Sequence, residues 1–152
     1  MAALCLLLLA ACGRDGPALA TNEDHASNGA GDVAAAASLP DSVAEGSRLY
    51  HAQYCGTCHT NTVAGTAGIF GPSHDGLRAT AEKRIHDPGY TGKATTAAAY
   101  VRESIRDPGA YRVPGFEHTR FLMPAYIQLT DSEVDALVRF LLWQPTKEER
   151  RP

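Results

Sequence analysis

The chain predicts an all-α fold, one small helical domain behind a long polar leader. Three observations carry this. Apolar residues recur at helical spacing in four segments from Asp41 onward. Prolines fall between these segments and never inside them. No run shows the apolar–polar alternation of a half-buried strand, so no strand is expected.

The helices follow in order. Residues 41–54, DSVAEGSRLYHAQY, put Val43, Gly46, Leu49, Tyr50 and Gln53 on one face behind an Asp/Ser start. A short helix over 79–86 is stopped by Asp87-Pro88-Gly89. A longer one over 95–106 is stopped by Asp107-Pro108-Gly109, because proline lacks the N–H and pushes the residue before it out of the helix. Thr130 and Glu133 predict a capping box for the last helix. Val134, Leu137, Val138 and Leu141 form its apolar stripe, and Pro145 ends it.

The leader divides in two. Leu4 to Leu9 is a short apolar run ending in Leu9-Ala10-Ala11-Cys12, similar to a bacterial lipoprotein cleavage box. The run is far shorter than the roughly 20 residues that span a bilayer. Residues 1–11 therefore read as a signal peptide, with Cys12 carrying lipid after cleavage. Residues 12–40 are rich in Ala, Gly, Ser, Asn and Asp and hold no aromatic residue. Such a segment cannot bury enough apolar surface to order itself and reads as a lipidated, flexible tether, with His25 solvated. The domain is expected over 41–145 and a charged tail over 146–152. This places the protein outside the cytoplasm, held to a membrane by its lipid anchor.

The formal net charge is −3 and no basic run precedes the tail, so no nucleic-acid partner is expected. Residues 78–120 nevertheless hold eight Lys and Arg against five Asp and Glu. No nucleophile elbow, phosphate loop or distinctive carboxylate pair occurs, so the sequence predicts neither a hydrolase nor a transferase, and no small-molecule substrate.

The chemistry concentrates in Tyr54-Cys55-Gly56-Thr57-Cys58-His59-Thr60. Three groups could occupy it: a redox dithiol, half of a zinc site, or a covalently attached haem. A cysteine zinc site needs about four N/S ligands, and the other cysteines of this chain, Cys5 and Cys12, lie in the apolar run at its N-terminus. A thioredoxin-type dithiol belongs in a βαβ context, whereas the flanks here are helical. Cys-x-x-Cys-His is the attachment signature of haem c. Two thiols one turn apart can reach the vinyl groups on one porphyrin edge, and the next residue brings its imidazole under the iron. The cysteines are then accounted for, with Cys5 removed, Cys12 acylated, and Cys55 and Cys58 in thioethers.

The iron needs a second axial ligand, and that ligand separates electron carriers from gas-binding or catalytic haems. Met123, in RFLMPAYIQL, is the one methionine besides Met1. Pro124 holds its loop extended. A thioether favours ferrous iron and stays bound in both oxidation states, which suits electron transfer. His118, His74 and His86 are the rivals; His118 and His51 are expected at the surface.

With these residues in place, the chain resembles a class I monohaem cytochrome c over residues 41–144. The resemblance rests on Gly46 with Leu49-Tyr50, Cys55-Gly56-Thr57-Cys58-His59, Gly71-Pro72, and Met123-Pro124 before a final amphipathic helix. It implies a helical bundle around one covalent haem c, with the first and last helices crossing at Gly46 against Phe140 or Leu137. It also implies that the Pro72 carbonyl accepts a hydrogen bond from His59. His74 stands where the family often has an apolar residue, and Leu77 is expected to take over that packing. Tyr90, Tyr100 and Tyr111 are candidates for the pocket or the haem propionates, and one or two arginines of 78–120 for the propionates.

The expected function is one-electron transfer between membrane-associated redox complexes, through a haem ligated by His59 and Met123. The protein is then not an enzyme, and its partners are redox proteins met through small interfaces. Two alternatives remain open at this stage. One is a fixed cytochrome subunit of a larger oxidoreductase. The other is a gas sensor or peroxidase with a displaceable sixth ligand and His118 above the iron.

Overall fold

The computed structural model describes residues 39–143 and Pro145. The expected signal peptide, Cys12, the tether up to Ser38 and the tail 146–152 lie outside the described residues. Four helices form: α1 (Asp41–Ala52), α2 (Leu77–Arg84), α3 (Ala97–Arg106) and α4 (Asp131–Leu142). Among the described residues, no helix is long and apolar enough to cross a membrane.

All four expected helices are present, with shifted ends. α1 stops at Ala52, two residues early, because Tyr54 adopts a left-handed conformation with φ 57°. α2 begins at Leu77, which is buried and draws the first turn two residues upstream. α3 opens on Thr96, whose side chain accepts from the Ala99 N–H, and closes on Asp107 as the Asp-Pro-Gly stop predicts. α4 carries both halves of its capping box. Thr130 Oγ1 accepts from the Glu133 N–H, and the Glu133 carboxylate accepts from the Thr130 N–H.

The expectation of no strand is corrected. β1 (Thr60–Asn61) pairs antiparallel with β2 (Thr66–Ala67). A ladder this short gives no alternation pattern to read. It is fixed by side chains instead: Thr60 Oγ1 donates to the Gly68 carbonyl at 2.9 Å and Thr66 Oγ1 to the His59 carbonyl at 3.0 Å.

α1 packs most extensively on α4, and α3 lies against both α2 and α4. Close approach of α1 and α4 depends on Gly46. A Cβ there would collide with the Ala136 carbonyl and the Phe140 Cβ. Phe140 is thus opposite Gly46, as expected, but its second neighbour is the Ala136 backbone. Leu137 is turned toward the interior instead. Tyr50 is fully buried and its ring lies 5.5 Å from that of Phe140.

Three arginines join helices end to end. Arg106, on the last turn of α3, donates to the Tyr126 and Leu129 carbonyls at 3.0 and 2.6 Å and pairs with Asp131 at 2.9 Å. Tyr126 N–H also donates to the Ile105 carbonyl. Arg78 donates to the Leu142 carbonyl, and Arg139 to the Ser42 carbonyl. The stretch that follows Met123 is therefore pinned onto α3 before α4 begins.

Candidate haem site

The attachment motif takes its shape from the end of α1. Tyr54 occupies the left-handed position that glycine usually fills after a helix, and its N–H donates to the His51 carbonyl. This turns the chain sharply into a 3-10 turn over Cys55–Thr57. The N–H groups of Cys58 and His59 both donate to the Cys55 carbonyl, at 3.2 and 3.1 Å. Cys55 and Cys58 thus sit one turn apart, and no disulfide joins them.

His59 is buried and held on several sides. Its Nδ1 lies 2.7 Å from the Pro72 carbonyl. A carbonyl only accepts, so Nδ1 carries the proton and the lone pair is left on Nε2. Gly71 lies against the ring, and a Cβ there would strike Cε1 and Nδ1. Burial lowers the His59 pKa, against the pull of the Pro72 carbonyl.

His74 stacks on His59, with ring centroids 4.0 Å apart and planes 16° from parallel. Its Nδ1 is 3.3 Å from the Tyr50 hydroxyl, which also reaches the His59 carbonyl at 3.4 Å. Burial holds His74 well below the ordinary imidazole range, and His59 and Arg84 push the same way. Leu77 is buried and lines the same space, so it shares the packing with His74 and does not replace it. His74 shares the His59 side of the cavity, a poor position for a ligand opposite His59. His118 and His86 are exposed and lie off the cavity.

The cavity measures about 330 Å³, within the range of pockets that bind cofactors. Cys55, Cys58, His59, Pro72 and Met123 all line it, so the structure gathers every expected site residue of the domain into one place. α3 and α4 contribute Val101, Ile105, Leu137 and Leu141. Its rim is apolar, with the Phe70 and Phe121 rings 4.5 Å apart and Leu122 61 % exposed. Burial pushes the Cys55 thiol up to about 11. Tyr100 and Tyr111 line the cavity, whereas Tyr90 lies behind them and hydrogen-bonds Glu103. The sequence marks His74 only as a rival ligand at an unusual place and Arg84 only as one of several arginines; the stacking of the His74 ring and the place of the Arg84 guanidinium carry no local signal.

A family model described as Cytochrome c matches residues 43–145. No curated protein and no solved structure matches the chain. The residues present fit haem c on their own chemistry. They offer two unpaired thiols one turn apart, an imidazole whose Nε2 is left free by its Pro72 bond, and a thioether in an apolar cavity. The all-α fold, this donor set and the family match agree, and the chain belongs to the cytochrome c family, whose covalently attached haem c serves electron transfer.

Proposed function

We propose that this protein is a one-electron carrier whose haem c is joined to Cys55 and Cys58 and ligated by His59 and Met123. The observation that carries the reading is the convergence of these four side chains on one cavity. When bound, the haem supplies a reversible ferric/ferrous couple. The chain's residues do the rest. Pro72 orients the His59 ring and raises its basicity. The Met123 thioether favours the reduced state without a proton change. Val101, Leu137 and Leu141 exclude water. The pinning of Tyr126 and Leu129 onto α3 by Arg106 restrains the Met123 loop, which keeps rearrangement small when an electron moves.

In this reading residues 12–40 tether the domain through a lipidated Cys12 to a membrane surface outside the cytoplasm. There it exchanges electrons with membrane redox complexes. His118 is exposed and does not line the cavity, so it does not supply the distal acid or base that the gas-binding or peroxidase alternative assigns to it.

The test is the optical spectrum of the purified, haem-loaded ferric protein beside Met123→Leu. The long-wavelength sulfur-to-iron band is expected in the parent and lost in the variant. Its absence from the parent would remove Met123 from the iron. The intact mass of the same preparation is expected to show one haem and acyl chains on a chain starting at Cys12; a chain without acyl groups would end the tether reading.

A further inference from the structure

His74 occupies a place where the family often has an apolar residue, and the structure seats it in a row of rings. Phe140 of α4 lies 5.5 Å from Tyr50 of α1 between ring centres, with the planes at 59°. Tyr50 meets His74 edge to face, at 5.7 Å and 71°. His74 then lies flat on His59, at 4.0 Å and 16°. The row therefore runs from the α1–α4 crossing to the imidazole of the attachment motif. Tyr50 is fully buried, so the row starts from a fixed point. The His74 N–H donates to the Thr60 carbonyl at 2.8 Å, which anchors its backbone one residue beyond His59. Its Nδ1 is 3.3 Å from the Tyr50 hydroxyl, and that hydroxyl is 3.4 Å from the His59 carbonyl. Both contacts are longer than the roughly 2.7–2.8 Å of a strong hydroxyl bond, so the ring faces do most of the holding.

The Pro72 carbonyl fixes His59 at one atom, Nδ1. One hydrogen bond leaves a ring plane free to rock about it, and a second ring lying flat against the first removes that freedom. We infer that His74 is a positioning residue: its ring, seated by Tyr50, sets the plane of the His59 imidazole and lowers the reduction potential. The inference rests on the reading that His59 ligates a haem c in this cavity. Ferric iron draws electron density from its imidazole ligand and leaves that ring more positive. The electron-rich face of an aromatic neighbour favours that state. An aliphatic side chain at the same place presents neither the flat surface nor the electron-rich face.

The experiment compares haem-loaded parent, His74→Leu, His74→Phe, Tyr50→Phe and Val43→Ala, the last a buried position of α1 outside the row that controls for lost stability. The readouts are intact mass, the haem-methyl proton shifts of the ferric protein, which follow the plane of the axial imidazole, and redox titration. All are taken at one pH above the ordinary histidine range. His74→Leu is expected to keep its haem, to move the methyl shifts, and to shift the ferric/ferrous ratio toward ferrous by about twofold to fivefold. His74→Phe retains a flat aromatic face and should stay near the parent in both. Tyr50→Phe keeps the row without the hydroxyl and should also stay near the parent, so the part played by the rings is still read if His74→Phe does not fold. Val43→Ala should lose stability and move neither readout. A haem-bearing His74→Leu with the shifts and potential of the parent would overturn the inference alone. So would a Tyr50→Phe or His74→Phe displaced as far as His74→Leu. A parent chain without haem would overturn both this and the reading beneath it.

Discussion

His74 shows how one side chain can change the behaviour of a site it does not ligate. Its ring is stacked on His59 and kept neutral chiefly by burial. Because the folded-state pKa is lowered, the unfolded chain binds a proton that the folded chain refuses once the pH drops below the ordinary histidine value. Stability is thus present above about pH 6.5 and declines as the pH falls below it, by at most about 1.4 kcal/mol per pH unit for this one group. Denaturant midpoints of the haem-loaded protein at about pH 7.5 and 5 should therefore differ, and His74→Leu should reduce that difference. An equal or larger difference in the variant would assign the acid sensitivity elsewhere. The stacking was not legible in the sequence. His74 lies fifteen residues after His59, and the rings are brought together by the bond of the His74 N–H to the Thr60 carbonyl, of the Gly71 N–H to the Cys58 carbonyl and of His59 to Pro72. The Pro72 contact was legible through the resemblance, since it follows from a Gly-Pro pair at a fixed place in the chain.

At the scale of elements, legibility tracked how local the determining physics is. The start of α4 is set by Thr130 and Glu133 satisfying each other's backbone N–H groups, which the sequence displays directly. The end of α3 is set by Asp-Pro-Gly for the same reason. The β1–β2 ribbon escaped because its two-residue strands are positioned by Thr60 and Thr66 reaching distant carbonyls. The crossing of α1 on α4 was half legible. Gly46 announces a close approach, but which residue meets it depends on the rotation of α4; of the two candidates Phe140 does, beside the Ala136 backbone, which no side-chain pattern displays. Gly46→Ala should lower stability by about 1–3 kcal/mol, as overpacking of a tight interface does, read from urea unfolding of the haem-loaded protein. A loss too small to resolve would show that the two helices separate without cost.

At the scale of the whole molecule, the cavity is as much a part of the core as the helices are. Leu77, Val101, Ile105, Leu137 and Leu141 face it from three helices, and Phe121 and Leu122 are 57 % and 61 % exposed at its rim. Each large apolar side chain that gains full burial contributes about 1.5–3 kcal/mol. A Cys55→Ser/Cys58→Ser chain, unable to hold haem, should melt at lower temperature, bind a hydrophobic dye and lose much of its near-ultraviolet dichroism. Unchanged melting and dichroism would mean that the helices close a core by themselves. The sequence announced that something fills the centre, through one motif. It did not announce the walls, because a cavity is assembled from residues more than eighty positions apart.

The separation of α1 from α4 along the chain also has a kinetic meaning. Their contact closes a loop that spans nearly the whole domain, so it is among the slower contacts to form, and it cannot form until the last helix has been synthesised. Cys55 lies just beyond α1, and in the closed domain its thiol is mostly buried and pushed up to about 11, a poor state for reaction. Before closure the same thiol is in water with its ordinary acidity. For an attachment at Cys55 this favours reaction on the open chain, before the long-range helix contact closes over the thiol.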